Sequence, residues 1–291
     1  MRHAFLIMAH RDFYILDKLV QILDDENVGI YIHVDKKSKN FDAHTIQDKV
    51  KRASLYFIER KNIHWGGYSS IDSELRLFDC AFHDGYDYYH LISGQDMPIK
   101  SIEYMKHFID LHNGCEFLSC DTEEQIATYM NKSLLEERFQ YYQFFRDTNF
   151  RYKELLNNLC IKGQKILKVN RFKNAFAYGY GSNWASLTHR AVETILENRK
   201  WILQHFKYTS CADEIYKQTV LLNKGFAPYF YGNQRLIMWE PQTSHPKTFK
   251  KEDLKTLLES DCLIARKFSE DDKEIVDILY DKYIPYFPTL S

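Results

Sequence analysis

The chain has 291 residues, with 39 Lys+Arg against 40 Asp+Glu and 45% hydrophobic residues. A formal net charge of −1 excludes the electrostatic footprint of a dedicated nucleic-acid or anionic-membrane binder, so any basic patch must be local. The length suffices to bury a full core without staples, and six Pro and eleven Gly in such an apolar chain argue against disorder.

Along the first half, short apolar runs at residues 4–9, 29–34, 55–58, 88–92 and 116–118 predict strands. Between them lie helix patterns. Residues 13–23 place Phe13, Leu16, Leu19, Val20 and Leu23 on one stripe, and residues 70–82 do the same with Ile71, Leu75, Phe78 and Phe82. Ser69 and Ser70 are the expected cap of the second helix, with Asp72 and Glu74 in its first turn. This β-α alternation implies an α/β fold, a mostly parallel sheet with helices on both faces, whose ligands bind at the carboxyl ends of the strands. From 121 to 177 the alternation stops in favour of a helical stretch crowded with Arg, Lys, Tyr and Phe, which is an insertion. Strand and helix patterns resume over 178–186, 188–206 (helix), 213–222 (helix), 229–239, 263–268 and 271–283 (helix), so one globular unit with two lobes is expected.

Six cysteines are scattered with no C-x-x-C pair, which predicts reduced thiols. The first apolar run, about five residues before charges return, is too short for a signal peptide or a bilayer span. A cytoplasmic protein is expected, at most peripheral to the inner face of the membrane.

Several clusters put polar side chains after a strand or at a helix start. Asp35, closing an apolar strand, can accept from a ribose hydroxyl or a base N–H, or serve as a solvated cap. Residues 93–98, Ser-Gly-Gln-Asp-Met-Pro, suit either a turn or a site. Trp65 before Gly66 and Gly67 suits a flat wall for a sugar or base, or a core Trp. Arg266 and Lys267 are adjacent cations that reach one ligand only if their strand ends there; a diphosphate is then the natural partner. Asp213 is placed to cap a helix, with Glu214 in its first turn, where a carboxylate stays ionised and free to act as a base. The sequence has no Asp-x-Asp, no P-loop and no G-x-G-x-x-G after the first strand, which leaves metal-held, P-loop and dinucleotide phosphate binding unsupported.

Taken in order, these clusters resemble the core-2/I-branching enzyme family, the glycosyltransferase group that also contains protein xylosyltransferases. The resembling segments are 32–38, 65–69, 87–98, 180–187, Asp213-Glu214 and 260–268, with Trp239 and His245-Pro246-Lys247 upstream of the last. They run from Phe5 to Phe268, and only 121–177 lacks an alignable counterpart. The resemblance implies a GT-A-like, Rossmann-type fold, an inverting mechanism, a UDP-sugar donor, and no metal or other cofactor. It implies a nucleotide-sugar lobe over 1–120, the insertion over 121–177, and a catalytic and acceptor lobe over 178–291 with a basic C-terminal strand. By position, His10, Asp35, Lys37, Arg266 and Lys267 would bind UDP, the last two through its diphosphate. Trp65, Asp96, Asn183 and Trp184 would line the donor-sugar pocket, and Glu214 would be the catalytic base. Tyr141, Tyr142 and Arg146 of the insertion are the acceptor candidates. Ala212 stands where the family tends to have Pro, and Asn183 where xylosyltransferases have Asp, which puts N-acetylglucosamine ahead of xylose as the donor sugar. The expected function is transfer to a hydroxyl of a glycan or lipid-linked glycan in bacterial surface polysaccharide synthesis. A nucleotide-sugar oxidoreductase and a non-catalytic glycan-binding module are the alternatives.

Overall fold

The computed structural model describes residues 1–129, 132–171, 176–240, 243 and 245–285. Its central sheet is built on β1 (His3–Ala9), which pairs in parallel with β2 (Val28–Val34) on one side and β4 (Tyr88–Ser93) on the other. β3 (Ser54–Phe57) joins β2 in parallel, and β6 (Ala185–Thr188) closes the other edge antiparallel to β4, giving the order β3-β2-β1-β4-β6. Their near-continuous apolar sequence reflects burial on both faces, as parallel central strands require. Alternate residues feed two cores. Phe5, Ile7 and Ala9 pack with α1 (Phe13–Ile22), α4 (Ile102–Leu111) and α12 (Lys273–Tyr283). Ala4 and Leu6 pack on the opposite face with α3 (Tyr68–Phe82), α8 (His189–Glu197), α9 (Arg199–Phe206) and α10 (Tyr216–Asn223). The expected α/β class, with a parallel-dominated sheet between helical layers, is the one found.

A smaller sheet orders β5 (Asp96–Pro98), β8 (Ile264–Arg266) and β7 (Arg235–Ile237), with Asp96 opposite Arg266. Two short helices, α2 (His44–Gln47) and α11 (Leu254–Glu259), fill connections. The helical insertion contributes α5 (Glu123–Tyr129), α6 (Lys132–Gln140) and α7 (Lys153–Ile166); its residues 130–131 and 172–175 lie outside the described residues.

Four local expectations are corrected. Residues 116–118 make single bridges to Phe230 and Ser186 rather than a strand, and the Glu116 carboxylate takes the backbone N–H (2.9 Å) and hydroxyl (2.6 Å) of Thr188. The helix expected over 188–206 breaks at Asn198, whose side chain donates to Thr194 O at 2.7 Å. The helix expected from Asp213 is a 3-10 turn over Ala212–Glu214, followed by α10. Finally, α3 has Gly67 as its N-cap; the exposed N–H groups of Tyr68 and Ser69 donate to the Asp147 carboxylate of the insertion, at 2.8 and 3.0 Å.

Candidate active site

Because β1, β2 and β4 are parallel, the loops that follow them emerge on one edge of the sheet, where the strand order reverses about β1. Hydrogen bonds tie these loops together. Ser38 Oγ donates to His10 O at 2.6 Å, and Gln95 Nε2 donates to Asp12 and, at 3.3 Å, to Phe268 O. In the loop after β2, one oxygen of the buried Asp35 accepts from Lys37 N–H (2.9 Å) and Ile63 N–H (3.4 Å), while the other lies 3.5 Å from Lys37 Nζ. Lys37 Nζ also donates to Ile63 O. His10 loses proton affinity through burial and the neighbouring Arg11 and Arg266.

β8 ends at Arg266, so Lys267 lies just past the end of the strand. Arg266 donates to the fully buried Asp96 at 2.7 Å, and its guanidinium lies 4.4 Å from the centroid of the Trp184 ring. Asp96 therefore fixes Arg266 instead of facing a ligand unassisted. Burial raises its carboxyl, against the pull of Arg266 and the Ser93 N–H. Burial, then Arg11 and Arg266, lower the Lys267 ammonium. Lys267 lines a cleft of about 470 Å³ with Arg11 and Lys250, and with the carboxylates Asp12, Asp271 and Asp272. A second cleft, of about 560 Å³, runs along β3 and α3 past Tyr56, Arg76 and His83 and shares no residue with these loops.

Glu214 sits in the turn before α10, with its side chain 35% exposed. Arg138 Nη1 of α6 and Tyr180 Oη both donate to its Oε2 at 3.0 Å. Among the described residues no hydrogen bond reaches Oε1. Behind this turn lies a fully buried ion pair, Glu74 with Lys217 at 2.8 Å. Lys217 also donates to Asn183 Oδ1 and, at 3.1 Å, to Asp213 O; Asn183 Nδ2 and Tyr216 Oη donate to the Glu74 oxygens at 2.8 Å. Asn183 is thus bonded into the support of the Glu214 turn, and its neighbour Trp184 carries Arg266.

Loss of solvent around the Asp213 carboxyl, then the nearby Glu214 and Glu74, push it up to about 7. An acid near 3.8 in the unfolded chain and near 7 in the folded one holds its proton longer when folded. Its contribution to stability is full below about pH 4 and is lost as pH rises through about 7. Asp213→Asn, neutral throughout, should remove that component: the fall in urea midpoint between about pH 4 and 7 should become shallower than in the wild type. An unchanged slope would assign the titration to another group.

The Trp65 ring is 75% exposed, which settles against a core Trp. Its loop is pinned to the Glu214 turn, since Cys211 N–H donates to Gly66 O at 2.9 Å. Gly66 has φ +71°, which favours glycine, and a Cβ at Gly67 would displace the Asp147 carboxylate. Burial pushes the Cys211 thiol up to about 11.

The acceptor candidates are held within the insertion. Arg146 bonds Gln143 (2.8 Å) and Glu154 (2.9 Å), Tyr142 lies between Phe144 and the Arg171 guanidinium, and Tyr141 lies 5.8 Å from Lys165 Nζ. Arg138 is the insertion residue that touches Glu214, and the sequence reading overlooked it, along with Asp147 and the Glu74–Lys217 pair. Tyr180 fell within a resembling segment but had no role assigned; Arg138 had no local signal beyond the insertion's basic composition.

The sequence matches the family described as Branch, core-2/I-branching enzyme, over residues 3–258. No curated protein sequence matches it significantly. Among solved structures it is similar to mouse xyloside xylosyltransferase 1 in its apo form, at 8% identity and a TM-score of 0.41, covering 91% of this chain and 97% of that one. It is also similar to core-mannan synthase A from Aspergillus fumigatus in its Mn/GDP form, at 12% identity and a TM-score of 0.42, covering 98% and 86%. Since the family match spans nearly the whole length, from β1 through the insertion and the Glu214 turn to α11, the chain belongs to the core-2/I-branching enzyme family and is a glycosyltransferase.

Proposed function

We propose that the chain transfers a sugar, N-acetylglucosamine ahead of xylose, from a UDP-sugar to a hydroxyl of a glycan or lipid-linked glycan, with inversion and without a metal. Surface polysaccharide synthesis in a bacterial cytoplasm is the proposed setting. The observation that carries the reading is a carboxylate that, among the described residues, is held at one oxygen only. Arg138 and Tyr180 fix Glu214 Oε2, and Oε1 remains for an acceptor hydroxyl. Glu214 takes that proton as the hydroxyl oxygen attacks the anomeric carbon opposite the departing UDP, through a transition state with oxocarbenium character. Charge then grows on the diphosphate, and Arg266 and Lys267 offset it; a pre-placed donor of this kind contributes roughly 3–4 kcal/mol to a transition state. Arg138 ties the insertion to the acceptor side of the reaction.

Because the charge on the diphosphate is given to Arg266 and Lys267, turnover should survive excess EDTA; a loss that manganese restores would overturn the role given to Arg266 and Lys267. The donor is tested by UDP release from a panel of UDP-sugars without acceptor. Release from none of them, together with no turnover on any acceptor, would leave the glycan-binding reading in its place.

A further inference from the structure

The helix α7 carries apolar side chains on both of its sides. Toward the protein, the half-buried Leu156, Cys160 and Ile161 accompany two polar anchors: Asn157 is fully buried and accepts from Phe145 N–H at 3.1 Å, and Gln164 bonds both the N–H (2.8 Å) and the O (2.9 Å) of Tyr142. A second apolar set faces out. Leu155 and Leu159 are 57% and 53% exposed, and Ile166 and Leu167 at its end reach 81% and 77%. Positions 155, 159, 162 and 166 are spaced by four, three and four residues, which aligns them on one stripe. A surface helix ordinarily turns such a stripe to the core. Here the Asn157 and Gln164 bonds hold the helix with this second stripe outward.

Charge on this segment is equally uneven. Residues 151–171 carry six Lys and Arg against the single acid Glu154, a balance of +5 in a chain of net charge −1. This is the local basic patch that the overall neutrality permits. Lys165 is committed to Glu137, and Arg171 to His205 O and Tyr208 O. Lys162 is exposed within the stripe and Lys168 just beyond it. A second copy would bring the same excess of positive charge against this face, whereas apolar residues interleaved with lysines match an anionic headgroup layer over acyl chains.

We propose that this face of α7 docks on an anionic lipid bilayer. Leu155, Leu159, Ile166 and Leu167 enter the boundary between headgroups and acyl chains, and Lys162 and Lys168 meet the lipid phosphates. Given the transferase reading, which only this consequence rests on, docking brings the hydroxyls of a lipid-linked glycan to the insertion that holds Glu214.

The test is co-sedimentation of the full chain with vesicles of phosphatidylglycerol and phosphatidylcholine, against phosphatidylcholine alone. Binding should require phosphatidylglycerol and weaken at least about tenfold between roughly 0.1 and 0.5 M salt. The double variants Leu155→Gln/Leu159→Gln and Lys162→Glu/Lys168→Glu should each lower partitioning at least about tenfold, with thermal melting and UDP affinity unchanged. Absence of binding, equal binding to phosphatidylcholine, or full binding by either variant overturns the proposal. A dimer in sedimentation velocity that the leucine variant dissociates gives the face to a second copy and also overturns it. Vesicle binding without any sugar transfer would instead remove the transferase reading and leave the docking surface standing.

Discussion

Glu214→Gln should lower kcat by roughly 10² to 10⁴ while UDP binds nearly as in the wild type, the usual contribution of a general base. Glutamine keeps the length of the side chain and an oxygen for Arg138 and Tyr180, but its amide cannot accept the hydroxyl proton. Arg266→Ala should fail differently, losing a charge-assisted bond to the ground-state diphosphate, or about 1.5–3 kcal/mol of UDP affinity. That variant also strips the buried Asp96 of its partner, so its folding must be followed beside its binding. Arg266→Lys keeps a charge near Asp96 while losing the guanidinium plane over Trp184, and should bind UDP with intermediate affinity. Calorimetric titration of UDP into all three variants decides the assignment. Weakened UDP binding in Glu214→Gln with intact binding in Arg266→Ala would reverse the two roles, and full turnover by Glu214→Gln would remove the base altogether.

Lys217→Met should destabilise the fold by about 3–5 kcal/mol, because it leaves the Glu74 carboxylate charged and unpaired with no exposed surface. Burying an ion pair is itself costly, so the double variant Glu74→Met/Lys217→Met should recover most of that loss, to within about 2 kcal/mol of the wild type. Urea unfolding at neutral pH reads both. A penalty below about 1 kcal/mol for the single variant would mean that the pair is hydrated in solution. Recovery of stability should not bring full recovery of activity. Lys217 also holds the Asp213 carbonyl and the Asn183 amide oxygen, and so sets the spacing between the Glu214 turn and the residue beside Trp184.

The central strands were legible nearly residue for residue, since β1, β2 and β4 are apolar on both faces and end where charges return. The family was legible too, because its segments follow one another in order, and the family match covers those between residues 3 and 258; segment 260–268, with Arg266 and Lys267, lies beyond it. Pairing across sequence distance escaped. Glu74 looked like a first-turn acid of α3, yet it faces inward because Lys217, 143 positions later, meets it there. Ser69 looked like a cap; its hydroxyl accepts from His64 N–H at 2.8 Å, and Asp147 does the capping from the insertion. Arg138 reaches Glu214 across 76 positions, and no periodicity encodes that contact. Residues 116–118 had the pattern of a strand without a partner long enough to complete one.

The Asp147 carboxylate seated against Gly67 bears on how this enzyme can be re-engineered. Residues 121–177 look like a cassette to be exchanged between relatives, yet two carboxylate oxygens in the middle of them complete the first turn of a core helix beside Trp65. A graft that omits Asp147 would leave two backbone donors bare and shift the Trp65 loop; under the proposal that Trp65 lines the donor pocket, donor affinity would change in an experiment meant to alter only the acceptor. Segment exchange should therefore spare residues 138–147 and keep the α7 side chains Glu154, Asn157 and Gln164, which bond to Arg146, Phe145 and Tyr142 of that segment.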